Sequence, residues 1–408
     1  PLTNVIQYLK VRGTWGQVGN SQISGRRFAY LATVTDSSST SYTFGKNMDQ
    51  NYGTTAIDEY AVDVTWEVAD KTDIGVDMRL LNNKLNLQFD YFKESREGIY
   101  LRRSSIPSYV GMINNPYGNI GKVENKGFEL SVNYANSWGG DWSLSLMGNY
   151  SFNRNKVLED DSTVVYPWQN TIGNKVGQRF GLVALGLFES YGEIAASPVQ
   201  TGDTRPGDIK YKDINGDGKI DEYDKVPIGW GSVPEIMYGF GFSLGWKNLS
   251  LTAMFQGAAH VDAMLSGEGV LPFSQGSSRG NLLSNITDRW TEENPRQNAF
   301  YPRLSIGNIN MNYEESTWWL KDTDYLRLKN IQLGYELPKS WMHRIGLNSA
   351  YLYVNAQNLF TVTNFWDGYD PEVGYGGDSS GDFDVVKLGS ANNYPQVKIV
   401  TVGLELKF

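Results

Sequence analysis

The sequence YPQVKIVTVGLELKF, at residues 394–408, decides the fold class. Apolar side chains occupy one parity along it and polar or small ones the other, which is the period of two that marks a β-strand with one apolar face. Such a strand can also end a soluble β-sandwich. A chain that finishes on an aromatic residue at the outer edge of an apolar stripe fits better with a barrel whose outer face meets lipid. The apolar parity consists of Val400, Val402, Leu404, Leu406 and Phe408.

The same alternation recurs along the chain in segments of barrel-strand length, separated by clusters of Gly, Asn, Asp and Ser. Tight turns at 137–141 and 247–248 join four of these segments into two predicted hairpins. In all, about a dozen strands are predicted. The clear segments are 85–91, 128–134, 142–150, 236–246 and 249–255, and the weaker ones are 8–18, 61–80, 177–189, 325–337 and 350–363.

The two faces of these segments and the connections between them indicate the type of β-fold. One face carries Leu, Val and aromatic side chains with almost no Lys or Glu, whereas the other carries small or charged side chains. Short turns at one end and long loops at the other are typical of outer-membrane barrels. The prediction is an all-β, transmembrane antiparallel β-barrel with lipid outside and a water-filled or plugged lumen inside. The long loops are predicted near 157–176, 190–235, 260–324 and 364–393.

One of these loops is predicted to contain a helix at residues 281–294 (NLLSNITDRWTEEN). Its apolar residues recur at helical spacing, and Pro295 ends the pattern because proline cannot continue a helix. These apolar residues are Leu282, Leu283, Ile286 and Trp290.

The composition of the 408 residues agrees with a barrel and argues against several other classes of protein. The 44 glycines and the aromatic content of 13% suit many strands, turns and two interfacial aromatic belts. A net charge of −9 argues against a nucleic-acid partner, which needs a basic surface. The chain has no cysteine, so it forms no disulfide or thiolate metal site. Residues 1–10 lack the basic start and apolar core of a signal peptide, so an exported parent is expected to have lost its beginning.

The most specific local motif is DINGDGKIDEYD at residues 213–224, which fits the spacing of a calcium-binding loop. Oxygen ligands at alternate positions wrap one cation while Gly218 allows the backbone to bend, and Lys219 would contribute only its carbonyl. Position 12 is Asp rather than the usual Glu, and the preceding GDIKYK resembles a strand, so the expected site is a weak structural Ca²⁺ site outside an EF-hand pair. An Asx-rich turn without metal remains the alternative. The predicted ligands are Asp213, Asn215, Asp217, Lys219, Asp221 and Asp224.

Signals for catalysis are weak, and no catalytic residue is predicted. Residues 377–381 (GDSSG) match the G-x-S-x-G nucleophile elbow, but the histidine of that motif must follow the serine. Only His260 and His343 exist, and both precede Ser379. Two His residues also exclude a histidine-rich zinc cluster. The acidic doublets 160–161 and 292–293 are more typical of solvated loops than of a glycosidase pair.

Several aromatic residues lie at strand ends or in the adjacent loops. Membrane-interface belts explain most residues of this kind, and the others could present a flat face to a ligand such as a sugar ring. The sequence leaves both interpretations open for Trp318, Trp319, Trp366 and Tyr369.

A series of longer motifs runs along nearly the whole chain. The motifs are YLKVRGTWGQVGN (8–20), WEVADKTDIGVDM (66–78), LQFDYFKESREGIY (87–100), GKVENKGFELSVNY (121–134), GDIKYKDINGDGKIDEYDKVPIG (207–229), MFQGAAH (254–260), DRWTEENP (288–295), DYLRLKNIQLGYELP (324–338), NAQNLF (355–360), YDPEVG (369–374) and the strand that ends at Phe408. With these motifs in this order, the chain resembles the C-terminal part of the SusC-like TonB-dependent transporters of the Bacteroidetes outer membrane. The number of motifs in the same order makes the resemblance specific.

This resemblance implies a 22-stranded barrel around an N-terminal plug, energised through TonB and capped by a SusD-like lipoprotein that captures glycans or peptides. It implies that residues 1–408 form the C-terminal part of the barrel, and that the plug, its TonB-binding segment and the first strands lie before Pro1. A partial barrel would leave unpaired strand edges in lipid, so a longer parent is expected. Phe408 resembles the terminal aromatic of the signal that the barrel-assembly machinery reads.

The primary functional hypothesis is therefore import of glycan oligosaccharides or peptides across the outer membrane. The alternative is a barrel that does not transport but serves as a scaffold in an outer-membrane assembly or secretion complex. A third hypothesis, an outer-membrane hydrolase, is disfavoured because the serine and histidine arrangement is absent from the sequence.

Overall fold

The computed structural model describes residues 5–21, 28–46, 50–110, 112, 114–267, 269–273, 282–307, 309–367, 369–372, 387–388 and 396–408. Strands dominate these residues. In chain order they are β1 (Ile6–Asn20), β2 (Thr33–Phe44), β3 (Gln50–Glu59), β4 (Glu67–Leu80), β5 (Leu85–Arg102), β6 (Tyr117–Trp138), β7 (Trp142–Glu159), β8 (Arg179–Gly181), β9 (Ala184–Leu187), β10 (Ile209–Tyr211), β11 (Val226–Ile228), β12 (Ile236–Trp246), β13 (Leu249–Ala259), β14 (Asp262–Leu265), β15 (Leu320–Asp322), β16 (Tyr325–Glu336), β17 (Ser349–Gln357), β18 (Thr361–Thr363), β19 (Lys387–Leu388) and β20 (Ile399–Lys407).

Eleven strands form one antiparallel sheet, hereafter the wall. Its order is β1-β4-β5-β6-β7-β12-β13-β16-β17-β20, and β18 pairs with β16 beyond the end of β17. Each neighbour in this order follows the previous wall strand along the chain, so the wall is an up-and-down meander. This is the topology of a membrane β-barrel, and the all-β, antiparallel prediction is confirmed.

The two faces of the wall differ as the sequence predicts. On the terminal strand β20, Val402 and Leu404 are 69% and 58% exposed although both are apolar. Aromatic rings continue this apolar face across neighbouring strands, with ring centroids 6.1 Å apart for Phe89 and Phe128 and 4.9 Å apart for Phe240 and Phe255. Exposed apolar rows on a sheet of this size need a non-aqueous neighbour.

Tight turns close one end of the wall. Residues 139–141 join β6 to β7, and residues 247–248 join β12 to β13, which confirms both predicted hairpins. Lys247 has a φ of 52°, the left-handed conformation that two-residue hairpin loops require. Three tryptophans stack across these strand ends, with centroids 6.4 Å apart for Trp138 and Trp142 and 5.8 Å apart for Trp142 and Trp246.

The weaker strand predictions have mixed outcomes. The segment 61–80 is a strand only from Glu67, and 350–363 divides into β17 and β18. The segment 177–189 contributes no wall strand, because β8 pairs with β11 and β9 pairs with β10 in two separate two-stranded sheets. The sequence analysis missed the hairpin of β2 and β3, since the Ser and Thr run TVTDSSSTSYTF shows no regular alternation.

The predicted helix at 281–294 is wrong for the part of it that the structure describes. Only Ser284–Thr287 is helical, as one 3₁₀ turn, and residue 281 lies outside the described residues. The backbone N–H of Trp290 instead donates to the carbonyl of Tyr301 at 3.0 Å, and Trp290 is 5% exposed. Burial of this indole against another segment outweighs the local helical spacing.

The long connections pack together into a second region, hereafter the loop body, built from the described parts of 160–235, 260–324 and 364–372. Short sheets β8–β11, β9–β10 and β15–β14–β19 lie within it or border it. The helix α1 (Tyr191–Ala195) also belongs to it, whereas α2 (Lys339–Arg344) lies between β16 and β17. Among the described residues, neither helix nor any other is both long and apolar enough to cross a bilayer. The core of the loop body includes Leu182, Ile209, Tyr211, Ile220, Met264, Leu265, Val270, Trp290, Tyr301 and Trp319.

Candidate functional site

The polar face of the wall carries a network of charges centred on Arg12. Its guanidinium donates to both oxygens of Asp77 at 3.1 Å and to Oδ1 of Asp90 at 2.6 Å. These residues lie on β1, β4 and β5, so one cation links three adjacent strands. Alternation of side chains places the network on the face opposite the exposed aromatic rows.

Two cavities open on this polar face. One, of about 330 Å³, is lined in part by Arg12, Gln88 and Ser131. The second, of about 390 Å³, lies further along the sheet and is lined in part by Glu129 and Gln256. Amide, hydroxyl and carboxylate groups at these surfaces suit a hydrated solute rather than an apolar one.

A buried carboxylate, Glu235, ties the loop body to the wall. Arg154, on β7, donates to its two oxygens at 2.9 and 2.6 Å, and Lys175 Nζ lies 2.8 Å from Oε1. His260 Nδ1 lies 3.2 Å from Oε2, and its ring stacks on Trp230 at 4.1 Å. Glu235 is 3% exposed. Burial raises its pKa, but the hydrogen bonds from Arg154 and Lys175 outweigh burial and lower the pKa to about 2.

Beside this cluster, Arg179 and Asp262 form a buried ion pair inside the loop body. The Asp262 carboxylate also accepts hydrogen bonds from the backbone N–H groups of Trp230 and Gly231. Burial raises the pKa of Asp262 despite these bonds. The Asp262 carboxylate therefore fixes the backbone of residues 230 and 231, so that the Trp230 ring can stack on His260 beside the wall.

A third buried carboxylate organises the outer part of the loop body. Asp208, 1% exposed, receives a bidentate contact of 2.9 Å from Arg303 and amide contacts from Asn310 and Asn312 at 3.1 and 2.8 Å. The backbone N–H of Arg205 donates to it at 2.8 Å. With each oxygen satisfied more than once, this group fixes two distant segments rather than offering a free acid.

Residues of β16 hold the segment that follows β18. Arg327, 2% exposed, contacts Asp370 at 2.6 and 2.7 Å, Glu372 at 2.5 Å and Thr361 at 2.8 Å. Lys329 also contacts Glu372, at 2.6 Å. Two cations and two carboxylates neutralise one another here, so the segment is bound to the wall by charge.

The predicted calcium loop is ordered by its own side chains. Asp213 accepts from the backbone N–H of Gly216 and of Gly218, at 2.6 and 2.9 Å. Asp224 is fully buried and accepts from the backbone of Ile214 and Asp221 at 2.7 and 2.9 Å, so it closes the loop.

Asn215, Asp217 and Asp221 each accept one hydrogen bond from a backbone N–H, fewer than Asp213 does. Asn215 accepts one N–H from Asp217, and Lys219 Nζ lies 3.1 Å from Asp221. No group of three or more His, Cys, Asp or Glu in the described part of the chain is arranged to hold a metal. A calcium ion would therefore also need the Asn215 oxygen, backbone carbonyls and water, which Ca²⁺ accepts.

The four aromatic residues left open by the sequence lie in or against the core of the loop body. Trp319 is 1% exposed, and its Nε1 donates to the carbonyl of Asn312 at 2.7 Å. Trp318 bonds to Phe300, and Trp366 lies 5.4 Å from Tyr369. Packing within a protein core, rather than a membrane belt or a ligand platform, therefore accounts for Trp319.

The two acidic doublets singled out in the sequence lie in different loops of the structure, 160–161 after β7 and 292–293 between β14 and β15. Ser379 lies outside the described residues. Asp161 accepts hydrogen bonds from Ser105, which lower its pKa, and Glu292 and Glu293 are exposed.

Comparisons with known proteins complete this picture. The family model "TonB dependent receptor-like, beta-barrel" matches residues 4–359. The chain belongs to this family of TonB-dependent receptor β-barrels. "TonB-dependent receptor P3" of Formosa agariphila is 30% identical over the whole of this chain and 40% of its own length. "TonB-dependent receptor SusC" of Bacteroides thetaiotaomicron is 26% identical over 99% of this chain and 38% of its own length.

Solved structures show the same fold. The RagAB peptide importer in its "open-open" state aligns with 99% of this chain and 40% of its own chain, with a TM-score of 0.68 at 21% identity. The chain thus spans about 40% of the length of the relatives it matches. The resemblance to SusC-like receptors is confirmed, and the wall is part of an outer-membrane barrel.

Membership of this family orients the receptor barrel. Its apolar face meets lipid and its polar face, with Arg12 and the two cavities, meets the lumen. The loop body lies at the end of the wall opposite the tight turns at 139–141 and 247–248. The sequence analysis missed the tie at Glu235 because its partners are 25 to 81 positions away in the chain.

Replacing Glu235 by Gln should loosen the receptor's loop body. The change leaves Arg154 and Lys175 without their shared carboxylate, and the cost should be about 2 kcal/mol, below that of a fully buried pair because Arg154 is 44% exposed. Hydrogen exchange at residues 170–178 and 228–234 should accelerate. Glu222→Gln, at a side chain that is 78% exposed, is the control and should change exchange little.

The same substitution should alter the pH dependence of stability. Because the pKa of Glu235 is lowered from 4.5 to about 2, its contribution is present above pH 4.5 and is lost as the pH falls toward 2. Unfolding measured between these values should therefore be less pH-dependent for Glu235→Gln. An unchanged slope would show that Glu235 does not stabilise the loop body.

Proposed function

We propose that this chain forms part of the wall and extracellular loops of a TonB-dependent importer of nutrients. The observation that carries the proposal is a wall of this receptor family with apolar rows toward lipid and hydrogen-bonding cavities toward the lumen. Ligand captured outside the cell would pass along the polar face when a plug rearranges. Coupling to TonB would lie in a part of the receptor other than this wall.

The proposed substrates are oligosaccharides or peptides. Both are hydrated chains with many donors and acceptors, which match the amide, hydroxyl and carboxylate groups beside Arg12 and Glu129. A relative carries the name SusC, and a similar fold is that of the RagAB peptide importer. A SusD-like surface lipoprotein is the proposed extracellular partner, seated on the loop body.

Deletion of the receptor should abolish uptake of one labelled oligosaccharide or peptide, and the intact gene should restore it. A blocked lumen provides the sharper test. This chain has no cysteine, so Ser131→Cys on the polar face can be coupled to a bulky maleimide, which should reduce uptake. Leu130→Cys, one residue away on the lipid face, is the matched control. Undiminished uptake of every candidate substrate in the deletion strain would overturn the import function.

Co-purification from outer membranes separates import from the scaffold alternative. Recovery of a SusD-like lipoprotein as the main partner supports import. Stoichiometric recovery of assembly or secretion components, with uptake intact in the deletion strain, would instead support a scaffold.

We also propose that residues 213–224 hold a structural Ca²⁺ in the extracellular loop body. Support comes from the acidic donors at positions 1, 5 and 9 of the loop, which are Asp213, Asp217 and Asp221, and from the Asn215 oxygen between them. Asp224 would act by closing the loop through backbone N–H groups, and Lys219 would supply its carbonyl.

The double change Asp217→Asn and Asp221→Asn separates calcium from a metal-free Asx turn. Each of these carboxylates accepts one backbone N–H, from Lys219 and Tyr223 respectively, so Asn keeps that acceptor oxygen but lowers the charge that holds the ion. Chelator should make the loop of the unmodified receptor more sensitive to protease, and the variant should be sensitive without chelator. Elemental analysis that finds no bound calcium, together with no effect of chelator, would establish the metal-free turn.

Phe408 is proposed as the residue that the barrel-assembly machinery reads. It is 86% exposed, directly follows β20, and shares the parity of the lipid-facing Val402 and Leu404. Phe408→Ala should lower the amount of folded receptor in outer membranes severalfold, whereas Phe408→Tyr should not, because an aromatic ring is retained. Folded receptor is measured by its heat-modifiable migration. Equal amounts for the two variants would contradict this role.

A further inference from the structure

A row of three aromatic residues crosses the lipid-facing side of the wall near its extracellular end. Tyr91 of β5 pairs with Phe128 of β6, which pairs with Phe152 of β7. The rings of Phe128 and Phe152 lie 5.8 Å apart. Aromatic rings in such a row mark the level where hydrocarbon gives way to lipid headgroups.

A row of three cations lies two residues further toward the outside on the same face. Lys93 pairs with Lys126, which pairs with Arg154, in the same register as the aromatic row. Their side chains are 50%, 55% and 44% exposed. Two residues of strand advance about 7 Å, so these charges stand at headgroup height.

Among the residues that the structure describes, carboxylates neutralise the cation row only in part. Glu124 is the partner of both Lys93 and Lys126, at 2.7 and 3.5 Å. Glu235 is shared by Arg154 and Lys175. Four cations thus share two carboxylates. Like charges directly opposite on neighbouring strands destabilise a sheet. An external anion bound at this row would therefore reduce the repulsion among the three cations.

The position of the row selects the kind of anion. The tight turn at 139–141 marks the periplasmic end of β6 and β7. The cation row lies near the other end of these strands, so Lys93, Lys126 and Arg154 face the outer leaflet. The guanidinium of Arg154 also lies 5.4 Å above the Phe152 ring, which makes the cation row continuous with the lipid-facing aromatic row. A free anion would contact only the cations, whereas a lipid can also place its acyl chains against the adjacent aromatic row.

We propose that Lys93, Lys126 and Arg154 bind the phosphate of an outer-leaflet lipid headgroup, with the acyl chains lying along the aromatic row. Two ammonium groups and one guanidinium supply the charge-assisted hydrogen bonds that a phosphate accepts. The bound lipid would seal the barrel at the point where Glu235 joins the wall to the loop body. This site lies on the outside of the barrel and is independent of the transported substrate.

The test compares the whole receptor with its Lys93→Gln and Lys126→Gln double variant. Arg154 is left intact because it also holds Glu235. The probe is phosphorylated lipid A added to delipidated receptor in detergent, and binding is measured by native mass spectrometry. Affinity should fall about fivefold for each cation removed. The double variant Lys93→Arg and Lys126→Arg keeps both charges and should bind like the unmodified receptor.

Three further comparisons decide between this site and its rivals. Lys247→Gln is the matched control, since Lys247 is 57% exposed and lies 5.5 Å above the Trp246 ring at the periplasmic end. It should leave binding unchanged, and an equal loss there would overturn the location. Dephosphorylated lipid A should bind weakly, and equal binding would overturn recognition of the phosphate. Inorganic phosphate should displace the lipid poorly, and full displacement would indicate a free-anion site instead.

Discussion

The constraint on which the structure depends is that every backbone N–H and C=O group within the membrane must be bonded inside the protein. Between β1 and β20 the meander meets it with interstrand ladders, which leave the side chains free to differ on the two faces, and the outer edges of β1 and β20 pair with no strand among the described residues. Lipid then selects Val402, Leu404 and the aromatic rows on one face. Water in the lumen selects Arg12, Asp77 and Asp90 on the other.

Outside the membrane the same chain uses a different means of holding itself together. Its long loops bury a core around Trp319 and attach to the wall through ion pairs in which one partner, Glu235 or Arg327, is almost fully buried. Glu235 and Arg327 each gather several partners, so the removal of one group affects two regions at once.

Much of the wall could be predicted because its signal is local. Alternation within ten residues locates β5, β7, β12, β13 and β20, and the turns 139–141 and 247–248 lie inside the predicted connections. The family resemblance supported the prediction of an outer-membrane location and led to the transport hypothesis. The helix prediction failed at 281–294, where the backbone N–H of Trp290 donates to the carbonyl of Tyr301 instead of forming a helical hydrogen bond. The sequence analysis also missed β2 and β3, whose Ser and Thr run gives no alternation.

The sequence by itself determined the fold class, the lipid-facing and lumen-facing parities and the presence of an Asp-rich loop at 213–224, because these features repeat or occur within a few neighbouring residues. Only the tertiary structure decided that Glu235 joins Arg154 to His260, that Trp319 is buried, and that Lys93, Lys126 and Arg154 stand side by side. The physical reason is register. Residues separated by tens of positions meet only after strand pairing fixes which of them are opposite, and no local pattern encodes that alignment.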